Sequence, residues 1–122
     1  MEKLLDLEVV MDLIGVTAED AGFIADLMRS YAADARQALE RMHGYARVGD
    51  CAALAREAHR LKGSSGTVGA AQLARECLEI ERAARGGTSR GLECNIGHAA
   101  AVLEATRGRM TEFFRGTMTG SL

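Results

Sequence analysis

One histidine in the chain sits among residues that suit it to covalent chemistry. It lies in the segment Ala58–Ala70, AHRLKGSSGTVGA, where Lys62 follows His59 after three residues and Gly63 after four. At helical spacing, residues three, four and seven positions away share a face, and for His59 these include Ala52, Ala55, Lys62, Gly63 and Gly66. All of those named except Lys62 are small. Ala58 and Leu61 belong to an apolar stripe, and His59 is turned about 100° from Ala58, which directs the ring outward. Each glycine in a helix interior costs roughly 1 kcal/mol relative to alanine. Such a cost is accounted for where something must approach the backbone closely.

The chemistry open to this group is narrow. Neutral imidazole is a nucleophile at physiological pH and can carry a covalent intermediate. Hydrolysis would require an orienting acid and an oxyanion hole in a cleft, and a convex helix face offers no cleft. A metal site would require further ligands at helical spacing, as in HExxH, and the sequence has none. Lys62 lies about 5–6 Å away at the Cβ level, placed to balance negative charge put on the ring. An exposed nucleophile beside a cation suits a group loaded by one protein and unloaded by another. His43 and His98 have no comparable surroundings in the sequence and are assigned no role.

The elements that must position this face are helical. The chain has 122 residues, a length for one domain with its own core, without proline or tryptophan and with few aromatics. Asp6 caps a short first helix ending near Gly15, and Thr17 opens a capping box with Asp20. A second helix runs from about 18 to the mid-40s with Ile24, Met28, Tyr31, Ala35, Ala38 and Met42 as its stripe, widened by Phe23, Leu27 and Leu39. Arg47–Asp50 reads as a turn, with Asp50 as the next cap. The third helix buries Leu54, Ala58, Leu61, Ser65 and Val68 and closes at Gly69. The fourth buries Leu73, Cys77, Ile80 and Ala84. After a loop at Gly86–Gly91, the last buries Leu92, Ile96, Ala99, Leu103, Met110 and Phe113 or Phe114, then frays over residues 116–122. Short connections between such helices predict an all-α fold, an up-down antiparallel four-helix bundle with a short extra N-terminal helix.

Composition excludes several function classes. The net charge of −2 gives no nucleic-acid footprint, and no apolar run approaches the roughly 18 residues of a membrane span. The acidic residues of the N-terminus do not fit a signal peptide, so the chain reads as soluble and cytoplasmic. Three cysteines, Cys51, Cys77 and Cys94, without a CxxC pair read as small buried or half-buried hydrophobes rather than disulfides or a zinc site. Charge is unevenly placed: residues 1–50 carry 5 Lys/Arg against 10 Asp/Glu, residues 51–90 carry 7 against 4, and residues 91–122 carry 3 of each. The basic segment contains His59.

The segment at 58–70, followed by LARECLEIERAARGG, closely resembles the histidine-containing phosphotransfer (HPt) domain of bacterial and fungal phosphorelays. That family's pattern is AHxLKGSSxxxGA, then a Leu, a Cys and a Leu-x-x-Glu-type segment. The resemblance extends to the apolar and aromatic positions at 23–31 and to Gly49–Asp50, and it covers a core of about residues 5–115 in a single domain spanning 1–122. It implies that His59 is phosphorylated at Nε2. It further implies that Lys62 neutralises the phosphoryl group, that Gly63 gives a receiver domain access, and that Ser64 positions nearby polar groups. Glu81 stands where the family often carries Gln or Glu beside the histidine. A carboxylate there either accepts from Nδ1–H, leaving Nε2 as the nucleophile, or is a solvated partner of Arg85. Arg85 either supports the phosphoryl group or, with Arg56 and Arg60, meets a partner's acidic rim. Ala55, Gly63 and Gly66 complete the expected docking face.

The implied partners are response regulator receiver domains and a hybrid sensor histidine kinase, with this chain a monomeric carrier without catalytic turnover. No metal or cofactor is expected on it, the Mg²⁺ being supplied by the receiver. Two alternatives remain at this point: the phosphotransfer domain of a chemotaxis-type histidine kinase, and a helical adaptor without phosphotransfer.

Overall fold

The computed structural model describes residues 4–17 and 21–119, with side-chain surroundings for residues 4–12 and 25–112. Five helices follow in order: α1 (Leu7–Thr17), α2 (Ala21–Val48), α3 (Cys51–Thr67), α4 (Ala71–Arg85) and α5 (Leu92–Thr119). Among the described residues there is no strand. Helix α2 packs on α3, α3 on α4, α4 on α5 and α5 back on α2, which closes a four-helix ring around one core. Their apolar stripes meet there, with Met42, Leu54, Leu61, Leu73, Ile80 and Leu103 fully buried. Each such side chain contributes about 1.5–3 kcal/mol by leaving water.

The local signals that start and stop these helices act as the sequence predicts at most boundaries. Asp6 Oδ1 accepts from the backbone N–H of Glu8 at 3.1 Å and of Val9 at 3.4 Å. Asp50 Oδ1 accepts from Ala53 N–H at 3.1 Å and opens α3. Between α2 and α3 the turn is shorter than expected. Arg47 and Val48 remain helical, and Gly49 alone, at φ +76°, reverses the chain. Helix α1 passes Gly15 and takes in Thr17, so Thr17 does not stand outside it as a cap, and residues 18–20 of the expected capping box lie outside the description. Helix α5 continues through Thr119, beyond the start of the expected frayed tail. The side chains of Phe23, Ile24, Phe113 and Phe114 also lie outside the described residues.

Gly69 ties α1 to the end of α3. It sits at φ +81°, and a Cβ there would lie 2.8 Å from Val10 Cγ2 and 3.1 Å from Asp6 O. The Asp6 N–H donates to Gly69 O at 2.8 Å, and Gln72 N–H donates to Leu4 O at 3.3 Å. The α1 segment therefore docks by backbone contact on the α3–α4 turn, which only a residue without a side chain permits. Of the cysteines, Cys77 is buried, Cys51 is half-buried and Cys94 is exposed, so Cys94 departs from the expected burial. Burial pushes the Cys77 thiol up to about 12, with nearby Glu76 and Glu81 adding to the rise.

Candidate functional site

Helix α3 places His59 at the edge of the α3–α4 groove, where the side chain is 60 % exposed. Across the groove stands Glu81 of α4, a residue only 5 % exposed. Its Oε2 lies 3.0 Å from His59 Nδ1. An ionised carboxylate only accepts, so Nδ1 carries the hydrogen of this bond and, in the neutral ring, Nε2 holds the lone pair. Among the described residues the ring's hydrogen-bond partner is this carboxylate alone, at Nδ1.

The same carboxylate gathers two cations. Lys62 Nζ donates to Glu81 Oε1 at 3.0 Å. Arg85, one turn after Glu81, donates to Oε2 from Nε at 2.9 Å and approaches it with Nη2 at 2.8 Å. Burial of Glu81 favours its neutral form, but the hydrogen bonds from Arg85, Lys62 and His59 outweigh it and hold the carboxyl down at about 2. One Glu81 side chain thus both bonds the histidine and pairs with Arg85. It is not solvated.

Beyond this cluster the face is flat. A Cβ built on Gly63 or Gly66 would meet nothing within 4 Å, and both glycines have ordinary negative φ. No packing demand within the chain accounts for their lack of a side chain. Gly44, Gly97 and Gly108 are equally open, so openness by itself marks nothing. What sets Gly63 and Gly66 apart is their place one and two turns along from His59.

Several expected members stand elsewhere. Ala55 is not on the exposed face. It is 4 % exposed and part of the core, because it lies only about 20° round the helix from Lys62, on the side where α4 packs. The Ser64 hydroxyl donates back to Leu61 O at 3.2 Å, so it is committed to its own helix rather than to the cluster. Arg60 turns to the opposite groove, where it bonds Glu57 at 2.9 Å and Asp34 of α2 at 3.1 Å. Arg56 is exposed and has no ion-pair partner among the described residues.

Some relationships had no sequence signal. Lys62 is bound by Glu81 19 residues away on another helix. Tyr31 Oη and Ser65 Oγ meet at 2.7 Å inside the bundle, across 34 residues. His98 also faces a carboxylate, but with the other nitrogen, Nε2 to Glu76 at 3.0 Å, so the atom held inward at His98 is the one left outward at His59. His43 Nε2 is 3.7 Å from Glu93, too far for a hydrogen bond.

Among the described residues no group of three or more His, Cys, Asp or Glu is arranged to hold a metal ion, and no helix is long and apolar enough to cross a membrane. The family model described as "Hpt domain" matches residues 26–109. No curated protein sequence matches the chain. Among solved structures, histidine-containing phosphotransfer protein B (HptB) from Pseudomonas aeruginosa PAO1 is similar at 26 % identity. The match has a TM-score of 0.83 and covers 94 % of this chain and 97 % of that one.

Proposed function

The chain belongs to the Hpt domain family, whose work is histidine phosphotransfer in two-component signalling, and on that premise we propose that His59 is its phosphorylated residue. The donor is the aspartyl phosphate of a receiver domain, and a second receiver takes the group onward. In this reading the Nε2 lone pair attacks phosphorus in line. The bond from phosphorus to the aspartyl oxygen breaks, its electron pair leaves on the carboxylate, and the Nε2–P bond forms. No proton need move, because the ring keeps its Nδ1–H and becomes a phosphorylated imidazolium facing Glu81. Return to a receiver aspartate is the same step reversed.

Phosphoryl transfer of this loose kind is promoted mainly by positioning and charge neutralisation. Glu81 orients the ring, Lys62 and Arg85 supply positive charge, and Gly63 and Gly66 leave room for the receiver to seat over Nε2. The exposed Arg56 suits the rim of an acidic pocket. The receiver contributes the Mg²⁺ and the acidic pocket, and this chain acts as carrier without turnover of its own.

The observation that carries this reading is the Glu81–His59 bond at 3.0 Å, which fixes Nδ1 inward on an exposed ring. The test is incubation with a phosphorylated receiver domain. Acid-labile, base-stable label should appear on the wild type and be absent from His59→Gln. Label that survives the substitution rejects the assignment. Label accepted from an ATP-bound kinase domain but from no receiver moves the chain to the kinase-attached alternative.

A further inference from the structure

Granting that His59 is the phosphorylated residue, the cations meant to meet the phosphoryl group are already occupied. Lys62 and Arg85 both bond Glu81 in the unphosphorylated protein. We propose that Glu81 holds Lys62 and Arg85 in reserve and releases them to the phosphoryl group when His59 is phosphorylated, while keeping the ring's Nδ1–H for itself.

Charge balance is the first argument. Before transfer, the neutral ring, Glu81, Lys62 and Arg85 sum to one positive charge. Transfer adds a phosphoryl group carrying about −2 at neutral pH and leaves the ring with one positive charge. The four side chains then divide into two neutral sets. The ring cation matches the Glu81 carboxylate through the hydrogen bond that already joins them. Lys62 and Arg85 match the phosphoryl group. Were both cations to stay on Glu81, these four side chains would leave the new negative charge without a cation of its own.

Coordination at Glu81 is the second argument. Oε2 faces three nitrogens, from His59 and twice from Arg85, at 3.0, 2.9 and 2.8 Å, against about two lone-pair sites on one carboxylate oxygen. Arg85 cannot spread its fork over both oxygens, because Oε1 belongs to Lys62. Releasing Arg85 leaves Oε2 to the His59 ring alone. The bond between Nδ1–H and Oε2 meanwhile becomes charged on both sides and strengthens. Mobility is the third argument. The Arg85 side chain is 58 % exposed and that of Lys62 is 30 % exposed, and both are long, while the carboxylate they leave is buried and fixed.

The test uses the full chain loaded with potassium phosphoramidate, a small donor that requires no partner protein. The ³¹P signal of the phosphohistidine is followed against pH in the wild type, Arg85→Gln, Lys62→Gln, Glu81→Gln and the Glu81→Gln/Arg85→Gln double variant. A cation that touches the phosphoryl group holds its ionisation to lower pH. Arg85→Gln and Lys62→Gln should therefore raise the midpoint by about 0.5 or more, and Arg85→Gln should raise it equally when residue 81 is Gln. A midpoint that neither substitution moves overturns the proposal. So does one that Arg85→Gln moves only while Glu81 is present, since Arg85 then acts through the carboxylate. The single Arg85 and Lys62 variants keep Glu81 intact and suffice if Glu81→Gln does not fold. Absence of any phosphohistidine signal from the wild type would instead overturn the assignment of His59.

Discussion

Tyr31 Oη and Ser65 Oγ lie 2.7 Å apart in the interior, joining α2 to the helix that carries His59. Both residues are buried, Ser65 completely, so each hydroxyl is the other's replacement for water. Burial raises the Tyr31 phenol to about 12, an effect that the Ser65 bond partly offsets. Six residues after His59, this contact fixes the rotation of α3 about its axis and hence the direction in which His59 points. Tyr31→Phe should cost about 1–2 kcal/mol in urea unfolding, because the Ser65 hydroxyl stays buried and loses its partner. The double variant Tyr31→Phe/Ser65→Ala should recover part of that loss. A single variant as stable as the wild type would show that the bond fixes nothing.

Acid should attack the Glu81 cluster in a defined window. The carboxyl sits at about 2 in the folded chain against 4.5 for an unperturbed glutamate. As pH falls below 4.5 the unfolded chain takes up the proton first, so protonation favours unfolding. The stabilisation is complete above about 4.5 and is lost progressively as pH falls through about 2. Glu57, held low by hydrogen bonds from Arg41 and Arg60 against its own burial, adds to the same acid limb. Glu81→Gln should flatten unfolding free energy against pH below 4.5 and leave the contribution of Glu57. Equal slopes in the two proteins would mean that the carboxyl titrates normally.

The helices, the caps Asp6 and Asp50 and the His59 motif were legible because their signals are local. Apolar periodicity needs one turn of context, a cap needs three residues, and the AHRLKGSSGTVGA run needs thirteen. What was hidden depends on which helix faces which. Ala55 and Gly63 both lie four residues from His59, yet one is core and the other open, because α4 covers one side of α3 only. Spacing puts Lys62 and not Arg60 on the face of His59, but does not show that Lys62 meets Glu81 of α4 while Arg60 meets Asp34 of α2. Gly69 reads only as the close of α3, and the packing of α1 that demands a glycine there has no signal within α3. No pattern within one helix says which neighbour covers which of its sides.

Stability and transfer should respond in opposite directions at Gly63. Alanine there meets no neighbour within 4 Å and requires no unusual backbone angle, so Gly63→Ala should stabilise the protein by about 1 kcal/mol. Gly63→Gln should also fold at least as well as the wild type, while its side chain fills the approach beside Nε2 and slows transfer from a receiver tenfold or more, the equivalent of about 1.4 kcal/mol of lost docking. Gly97→Ala on α5, equally open but far along the sequence from His59, should stabilise without changing transfer. Thermal unfolding and transfer kinetics on the same three preparations check this. Unchanged transfer in Gly63→Gln would remove the docking role.

At Gly69 the signs reverse. The backbone lies at φ +81°, which costs an L-residue about 1–2 kcal/mol, and a Cβ would press on Val10 Cγ2 at 2.8 Å and Asp6 O at 3.1 Å. Val10 is 1 % exposed and short, and Asp6 O is backbone, so there is no flexible side-chain end to yield. Gly69→Ala should therefore destabilise by about 2 kcal/mol or more and do so by lifting α1 from the α3–α4 turn. Hydrogen exchange should then show lost protection at the Asp6 and Gln72 amides, which bond across that junction. The His59–Glu81–Lys62 cluster belongs to α3 and α4 and does not use α1. Phosphorylation by phosphoramidate at a temperature where the variant remains folded should accordingly match the wild type. Loss of phosphorylation in a folded Gly69→Ala protein would mean that α1 helps to shape the site, and that the docked segment is part of the working face.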